Sequence, residues 1–421
     1  MEESAQVPLW RTRDYQLFIL GQTVTQIGTE VTAIAFPLTA VLLLHATPFQ
    51  LGVLVAVQNG AFLLIGLPAG VWLDRRRRRP ILIGTDVVRA LALVTVTVAA
   101  AVQWLTFGLL LATAAVLSLM RVVFEIGYQT YLPSIVPSKD LIQGNSTMET
   151  IRAGGQIAGP SLGGWLVQLV GAANALLADA VSFLASAACL WGIRTREPGP
   201  EPAAERRGMV QDAREGMAFV WGNPVLRAIA ATSAISNLLF TAATALTVLF
   251  LVEVVGVSAG VAGMIFSIGS AAALVAAAIA TRLANRLGSA RIIWMSALLT
   301  SPVNLLIPFT HDDWRLGLFV AGIVFGGGGQ LIYAITQVSY RQAVTPPAIL
   351  GRVNATMRFL VMGALPVGGL LGGGLGSLIG VRATLLVIGI GLALAPLFLF
   401  FSPLRGVREV SELTTVHRQS S

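Results

Sequence analysis

The fold is decided by one stretch, Gly66-Leu-Pro-Ala-Gly70-Val-Trp-Leu-Asp74-Arg75-Arg-Arg-Arg-Arg79-Pro80, in which five consecutive arginines separate two long apolar segments. Each arginine placed at the centre of a lipid bilayer costs roughly 2.5–3.5 kcal/mol on insertion scales. The arginine run therefore predicts a short loop on one side of a membrane, and the positive-inside rule assigns that side to the cytoplasm. This loop sets the orientation of every other segment.

The composition is typical of a chain whose main solvent is lipid. Of 421 residues, 55% are hydrophobic and 11% are charged, and the mean hydropathy is +0.78. A soluble domain carries about 25% charged residues. The net charge of +8 comes from arginines between apolar segments, so it predicts membrane orientation and no nucleic acid partner. One cysteine and three scattered histidines predict no metal site.

Twelve apolar runs are long enough to span a bilayer, for which a helix needs about 20 residues. They cover residues 16–44, 49–73, 80–101, 105–127, 147–170, 173–193, 225–252, 258–282, 290–309, 314–338, 354–379 and 381–402. Basic residues concentrate in every second connection, which predicts an even number of spans with both termini in the cytoplasm. We therefore expect an all-α, multi-pass protein of the cell inner (plasma) membrane.

The chain repeats itself at an offset of 209 residues, since Asn145-Ser-Thr-Met148 matches Asn354-Ala-Thr-Met357. A six-helix unit keeps its orientation when it is repeated, so the two halves are predicted to be parallel repeats with a substrate site between them at mid-membrane. The predicted parts are an N-terminal half at 1–193, a cytoplasmic linker at 194–223, a C-terminal half at 224–403 and a cytoplasmic tail at 404–421.

The linker ends in a predicted amphipathic helix. Its apolar face consists of Val210, Ala213, Met217, Val220 and Trp221, while its charged residues point elsewhere. We expect this helix to lie in the membrane interface.

Two motifs resemble signatures of the major facilitator superfamily. Gly70-x-x-x-Asp74-Arg75-x-x-Arg78-Arg79 is similar to the loop 2–3 signature, with arginine where a glycine is usual between Arg75 and Arg78. Gly155-x-x-x-Gly159-Pro160-x-x-Gly163-Gly164 in the fifth span is similar to the antiporter signature. Further segments, such as Asp86-x-x-Arg89-Ala, resemble the third drug:proton antiporter group, which includes macrolide, tetracycline and siderophore exporters.

A polar stripe in the first span gives the sharpest candidate site. Gln22, Gln26 and Glu30 are spaced i, i+4, i+8, and Glu30 lies about 21 Å into the helix, near mid-bilayer. Such a stripe should face a water-filled cavity. We expect Glu30 to couple protons to the substrate or to attract a cationic one; the alternative is a structural carboxylate bonded to a neighbouring helix.

Arg121 and Glu125 in the fourth span are close enough in sequence to pair across one helical turn. The resemblance implies that Arg121 takes part in a proton relay. The alternative is an ion pair near the cytoplasmic end whose charged groups reach the interface.

The resemblance also implies a cytoplasmic gate at the ends of the second and third spans. Asp86 and Arg89 are one turn apart and are expected beside Asp74 there. The gate residues are Gly70, Asp74, Arg75, Arg78, Arg79, Asp86 and Arg89. In the alternative interpretation the arginines only fix topology, which is what we expect of Arg76 and Arg77.

Small residues in the fifth span, Gly155, Gly159 and Gly163, recur every four positions and let helices approach closely. Pro160 removes a backbone donor there. Tight packing is one interpretation; the resemblance implies a hinge or seal that also includes Gly164. Asp179 in the sixth span is a further candidate because it is an acid within an apolar run.

The sequence thus predicts a monomeric secondary transporter that works by alternating access. It would export a hydrophobic or amphipathic, drug-like or siderophore-like molecule, with the proton as coupling ion and no other cofactor. No Gly-x-x-x-x-Gly-Lys-Ser/Thr motif occurs, so ATP is not the expected energy source. The alternatives are uptake of a metabolite, a non-transporting membrane partner in a secretion or signalling complex, and a membrane enzyme. The last lacks paired carboxylates or a nucleophile motif, and no enzyme is expected.

Overall fold

The computed structural model describes residues 9–74, 76–137, 140–195, 197 and 209–409. Within its helices, the side chains at positions 67, 70, 71, 74, 142, 209–213, 347 and 348 are not described. All regular secondary structure in the described ranges is helical. The all-α prediction is therefore confirmed for this part of the chain.

Six long helices make up the first part of the chain. They are α1 Arg13–Leu44, α2 Pro48–Asp74, α3 Arg78–Ala101, α4 Phe107–Ile135, α5 Leu141–Val170 and α6 Ala172–Gly192. Their ends have local causes. The Thr106 hydroxyl accepts a hydrogen bond from Leu109 N–H and caps α4. Gly171, with φ +86°, separates α5 from α6 because that backbone conformation favours glycine.

Nine further helices follow. They are α7 Met209–Gly222, α8 Pro224–Leu249, α9 Ala259–Leu287, α10 Arg291–Thr300, α11 Leu316–Ala321, α12 Gly327–Val344, α13 Pro347–Ile379, α14 Val381–Leu394 and α15 Leu397–Phe400. Four predicted spans are compound. A π-helical segment, Phe250–Val255, extends α8, and a 3-10 segment, Ser301–Phe309, extends α10. A second π-helical segment, Gly322–Gly326, joins α11 to α12, and the last span consists of α14 and α15.

Within the described residues, eleven helices or compound helices are long and apolar enough to cross a bilayer. The remaining predicted span corresponds to α5, which is 30 residues long. Its first half carries Glu149, Arg152 and several uncharged polar side chains, and these lower its hydropathy. The count of twelve spans therefore stays a prediction.

Contacts divide the chain into two compact units. The first unit contains Met1–Ala46, Val57–Ala204 and Ser258–Ser267, and the second contains Thr47–Ala56, Glu205–Val257 and Ile268–Ser421. In the first unit, α1 packs against α5 and α6, and α3 packs against α4 and α6. In the second unit, α13 packs against α7 and α8, and α14 packs against α8.

The linker helix α7 is bound to α13 in a way that the sequence did not predict. A Cβ atom added at Gly216 would lie 2.6 Å from Arg352 O, so the two helices touch through a glycine. Arg352 Nη1 also donates to Glu215 Oε2 over 2.6 Å. On the predicted apolar face, Val220 is buried, whereas Met217 and Trp221 are 43% and 51% exposed. The position of this face in the membrane interface stays a prediction.

Candidate functional site

Glu30 lies near the middle of the 32-residue helix α1. Gln26 Nε2 donates a hydrogen bond of 3.1 Å to Glu30 Oε1. Both side chains are half-buried, as is that of Gln22 one turn earlier. The three residues form the predicted polar stripe, joined by one internal hydrogen bond. Because an amide is a neutral donor, this hydrogen bond does not neutralise the carboxylate, and Glu30 is able to bind a proton or attract a cation.

Two glycines of α5 form the surface against which this stripe packs. A Cβ atom added at Gly159 would lie 2.2 Å from Glu30 Cβ, and one added at Gly155 would lie 2.6 Å from Gln26 Cγ. Real Cβ atoms essentially never come closer than 3.0 Å to such neighbours. Glycine at both positions is therefore required for α1 to lie this close to α5. The motif that was predicted to pack helices also positions the candidate carboxylate.

The remaining motif residues serve two different neighbours. A Cβ atom at Gly163 would lie 3.0 Å from Val31 Cα of α1, which continues the same contact. Gly164 and Pro160 face the beginning of α9, where a Cβ atom at Gly263 would lie 2.3 Å from Pro160 O. The hydroxyl groups of Ser161 and Ser267 are 2.7 Å apart beside this contact. All these residues belong to the first unit.

The cations that act on Glu30 come from two other helices, α4 with Arg121 and α5 with Arg152. Arg152 also pairs with Glu149, with 2.6 Å between Nη2 and Oε2. The pair expected between Arg121 and Glu125 is not among the ion pairs of the described residues, and both side chains are exposed. Arg121 acts electrostatically on Glu30 and Arg89 instead.

Asp86 and Arg89 form a salt bridge that is buried inside the first unit. Asp86 is 0% exposed and Arg89 is 5% exposed. The guanidinium carbon of Arg89 lies 4.3 Å from the ring centre of Phe124 and 4.2 Å from that of Phe183, so the cation is sandwiched between two aromatic faces. The pair was expected at the cytoplasmic end of its span. It lies instead two to three turns into α3, among side chains of α4 and α6.

Asp179 lies next to this pair, on α6. It is 1% exposed, and its Oδ1 accepts a hydrogen bond of 2.8 Å from Ser182 Oγ. The charges of Arg89 and Asp86 both act on it. Asp179 was predicted only as a further candidate. The available signal was an acidic residue in an apolar run, and its partners lie on a helix about 90 residues earlier in the chain.

The second half of the arginine loop is fastened to the end of α6. Arg79 Nε donates to Leu190 O over 2.8 Å, and Arg79 Nη2 donates to Trp191 O. The backbone N–H groups of Arg78 and Arg79 donate to the Glu197 carboxylate at 2.9 and 3.2 Å. These bonds satisfy carbonyls at a helix C-terminus and amides at a helix N-terminus, where intrahelical partners are missing. Arg79 thus joins α3 to α6 within one unit.

The other predicted gate residues are only partly visible in the structure. Gly70 and Asp74 lie in α2, but their side chains are not described, and Arg75 lies outside the described residues. Arg76 and Arg77 are exposed, as expected for residues that only fix topology. In the described part of the loop, Arg78 and Arg79 therefore connect the start of α3 to the end of α6 and the residues after it.

An exposed ion pair lies in the connection before α11. Arg315 Nη2 is 2.7 Å from Asp313 Oδ2, and hydrogen bonds from Arg315 lower the pKa of Asp313. Unlike the buried Asp86–Arg89 pair, this ion pair is exposed. Within the described residues no group of three or more His, Cys, Asp or Glu side chains is placed to hold a metal ion.

The chain matches the family model of the Major Facilitator Superfamily at residues 18–359 and 235–418. The multidrug efflux pump Tap of Mycolicibacterium fortuitum is 25% identical over 388 residues, which cover 89% of this chain and 92% of Tap. The enterobactin exporter EntS of Escherichia coli O1:K1 / APEC is 25% identical over 394 residues, which cover 90% of this chain and 89% of EntS.

Solved structures with the same fold include the nucleoside transporter NupG, with a TM-score of 0.71 and 12% identity, covering 93% of this chain and 99% of NupG. A bacterial homologue of the iron transporter ferroportin, in an inward-facing state, has a TM-score of 0.70 and 17% identity, covering 92% of this chain and 98% of its own. At these identities the likeness concerns the fold. Since the family model matches well over half of its length, the chain belongs to the major facilitator superfamily and is a multi-pass membrane transporter of small molecules, not an enzyme.

Proposed function

We propose that the protein exports a hydrophobic or amphipathic small molecule across the inner (plasma) membrane in exchange for protons, by alternating access. The support from relatives is that Tap and EntS, which align with about nine-tenths of the chain, are named as a multidrug efflux pump and an enterobactin exporter. The proton is the only coupling species required.

The proposed transporter acts as a monomer with twelve spans, α5 being the fifth, and with both termini in the cytoplasm. The parts are two six-helix halves at 1–193 and 224–403, the linker at 194–223 and the tail at 404–421. The arginine loop and the repeat in the sequence support this arrangement.

The observation that carries proton coupling is the position of Glu30 on α1. Its carboxylate accepts a hydrogen bond from Gln26 and faces the charges of Arg121 and Arg152, while the Cβ and Cγ atoms of Glu30 pack on Gly159 of α5. A proton on Glu30 removes the negative charge that these two cations face. Protonation therefore changes the interaction free energy between α1 and the helices α4 and α5. A conformational switch needs such a difference between its two states.

The proposed cytoplasmic gate consists of the loop residues Gly70, Asp74, Arg75, Arg78 and Arg79. Asp86 and Arg89 are left out of this gate, because both are buried in the interior of the first unit. Arg79 holds the loop on α6 through the carbonyls of Leu190 and Trp191. Movement of the loop is then passed to α3 and α6 together.

The test uses everted membrane vesicles from an efflux-deficient host and a fluorescent lipophilic dye as the transported probe. We expect proton-driven dye movement in the wild type and its loss in Glu30→Gln, with equal amounts of protein in the membrane. Dye exchange without a proton gradient should persist in the variant, because the amide retains the shape and polarity of the side chain. Glu253→Gln is the matched control, since Glu253 is an exposed carboxylate at the end of α8.

Three results would each contradict one part of the proposal. Proton antiport would be contradicted if the wild type still transported the dye after a protonophore had collapsed the proton gradient. Unchanged transport by Glu30→Gln, with the wild type sensitive to the protonophore, would remove Glu30 from coupling while leaving antiport intact. Gradient-driven dye movement in the opposite direction would favour uptake over export.

A further inference from the structure

The buried cluster of Asp86, Arg89 and Asp179 contains two carboxylates and one guanidinium group. When all three groups are ionised, the cluster has one net negative charge. Arg89 remains protonated in proteins, and its guanidinium bonds directly to Asp86. Asp179 is the second carboxylate beside the same guanidinium, and its hydrogen bond at Oδ1 comes from a neutral hydroxyl group. A buried and uncompensated charge is strongly unfavourable. The cluster becomes neutral when one proton is added.

Several buried polar atoms at this cluster make no hydrogen bond of regular geometry, although the Ser186 hydroxyl lies beside the Asp86 carboxylate and the Thr32 hydroxyl beside that of Asp179. Among the described residues these are Asp86 Oδ2, Asp179 Oδ2, Arg89 Nε, Ser186 Oγ and Thr32 Oγ1. Ser186 is 0% exposed and faces Asp86, while Thr32 faces Asp179 from α1. A proton on a carboxylate oxygen converts that oxygen into a donor, and a hydroxyl oxygen beside it is the matching acceptor.

On the α1 side, close helix packing leaves little space beside the Asp179 carboxylate. A Cβ atom added at Gly28 of α1 would lie 2.5 Å from Asp179 Oδ1 and 2.2 Å from Ser182 Oγ. The charged groups that act on Asp179 are Arg89 and Asp86 of α3; α1 contributes the Thr32 hydroxyl, and Arg121 of α4 acts on Arg89. Glu30 lies on the side of α1 that packs on α5, away from this contact.

We infer that Asp179 and the Asp86–Arg89 pair form a second proton-binding site, which binds one exchangeable proton on the Asp179 carboxyl group independently of Glu30. In the release step the O–H bond of the Asp179 carboxylic acid breaks, the electron pair stays on the carboxylate, and the proton goes to water. Water reaches the carboxyl group when the α1–α6 contact at Gly28 loosens. The inference adds a proton site to the proposed antiport, on which its role in transport rests.

The experiment is infrared difference spectroscopy on the purified full-length protein in lipid bilayers, with the proton as the ligand and pH as the variable. We expect the wild type to show the carbonyl band of a buried protonated carboxylic acid that titrates with pH. Asp179→Asn should remove this band, whereas Glu30→Gln should retain it. In Asp86→Asn the band should weaken at every pH, because Asp179 is then the sole carboxylate partner of Arg89. Asp312→Asn, in an exposed connection, is the control.

The outcomes separate this inference from the proposed function. A band that persists in Asp179→Asn, or one that does not change with pH, would contradict the second proton-binding site. Asp179 would then have only a structural role, as a hydrogen-bond acceptor. A band that responds to sodium at constant pH would also overturn it in favour of a sodium site. The thermal unfolding of each variant distinguishes misfolding from loss of the proton, and Asp86→Asn provides the test if Asp179→Asn does not fold. Because the readout needs no transport, failure of protonophore sensitivity would refute antiport without affecting this result.

Discussion

The two units use the same helix-packing device and differ in the side chains that it positions. In the first unit, Gly159 of α5 accommodates Glu30 of α1. At the offset of 209 residues, Gly368 of α13 accommodates Leu238 of α8 in the second unit, where a Cβ atom would lie 2.2 Å from the Leu238 carbonyl oxygen. The duplicated glycines retain the backbone contact in both units. The helix contact is therefore common to both units, whereas the carboxylate occurs only in the first unit.

Two carboxylates of the first unit have apolar counterparts in the second. At the same offset, Glu30 corresponds to Leu239 and Asp179 corresponds to Ile388. Ile388 is 1% exposed and packs with Ala242, Leu392 and Leu239 in one hydrophobic cluster. At this position the first unit buries a carboxylate, which becomes neutral only when it binds a proton. The second unit buries an apolar side chain, which has no charge to neutralise. Proton-dependent behaviour is therefore expected to depend on the first unit.

Placing a charge in the apolar copy should have the largest effect. Ile388→Asp puts a carboxylate among Ala242 and Leu392, which offer no cation. We expect the free energy of unfolding to fall by about 3–5 kcal/mol, the amount that an unpaired buried charge costs. The amount of folded protein extracted from membranes and its thermal unfolding check this. Ile388→Leu preserves volume and should behave as the wild type; an equally stable Ile388→Asp would mean that the second unit also has a hidden partner for a charge.

Filling the glycine contact in each unit should have an intermediate effect and sharpen the comparison. Gly159→Ala and Gly368→Ala should each lower the free energy of unfolding by about 1–3 kcal/mol, the usual cost of overpacking. Only Gly159→Ala should also change the pH dependence of dye export, because only Gly159 contacts a carboxylate-bearing residue. Gly154→Ala is the control, since a Cβ atom there meets nothing within 4 Å. Equal pH profiles for the two alanine variants would argue against the division of roles.

Removing the helix-joining arginine should have the smallest effect. Arg79→Gln loses the cation at the C-terminal carbonyls of α6 and should lower the free energy of unfolding by about 1 kcal/mol. Arg76→Gln removes an exposed arginine of the same run and should leave stability unchanged. Thermal unfolding of the purified variants distinguishes them. Identical unfolding temperatures for the two variants would mean that Arg79 only fixes membrane topology and does not stabilise the contact between α3 and α6.

Local patterns in the sequence predicted the helices, the polar stripe and the glycine face. Each depends on hydropathy or on spacing within one helix, as with Gln26 and Glu30, or with Gly155 and Gly159. The resemblance to the superfamily rested on equally local motifs. These features survive in the structure because helix periodicity fixes which side chains share a face.

Contacts between distant segments could not be predicted in the same way. Arg79 reaches Leu190 over a separation of 111 residues, and no local pattern indicates that a guanidinium will bond to those carbonyls. Asp86 and Arg89 looked interfacial because they follow a charged loop. They are buried because rings from α4 and α6 cover the guanidinium, and a single sequence does not state which helices become neighbours.

The contact between α7 and α13 has a consequence for biogenesis. Glu215 and Arg352 are 137 residues apart, so α7 leaves the ribosome long before its docking surface on α13 is made. At a synthesis rate of about 5–20 residues per second, this interval lasts roughly 7–30 s. During that time Gly216 lacks the backbone of α13 that it contacts in the finished protein. Docking of the linker is therefore among the last steps of assembly, and a chain truncated before α13 would present an unfilled helix face to cellular quality control.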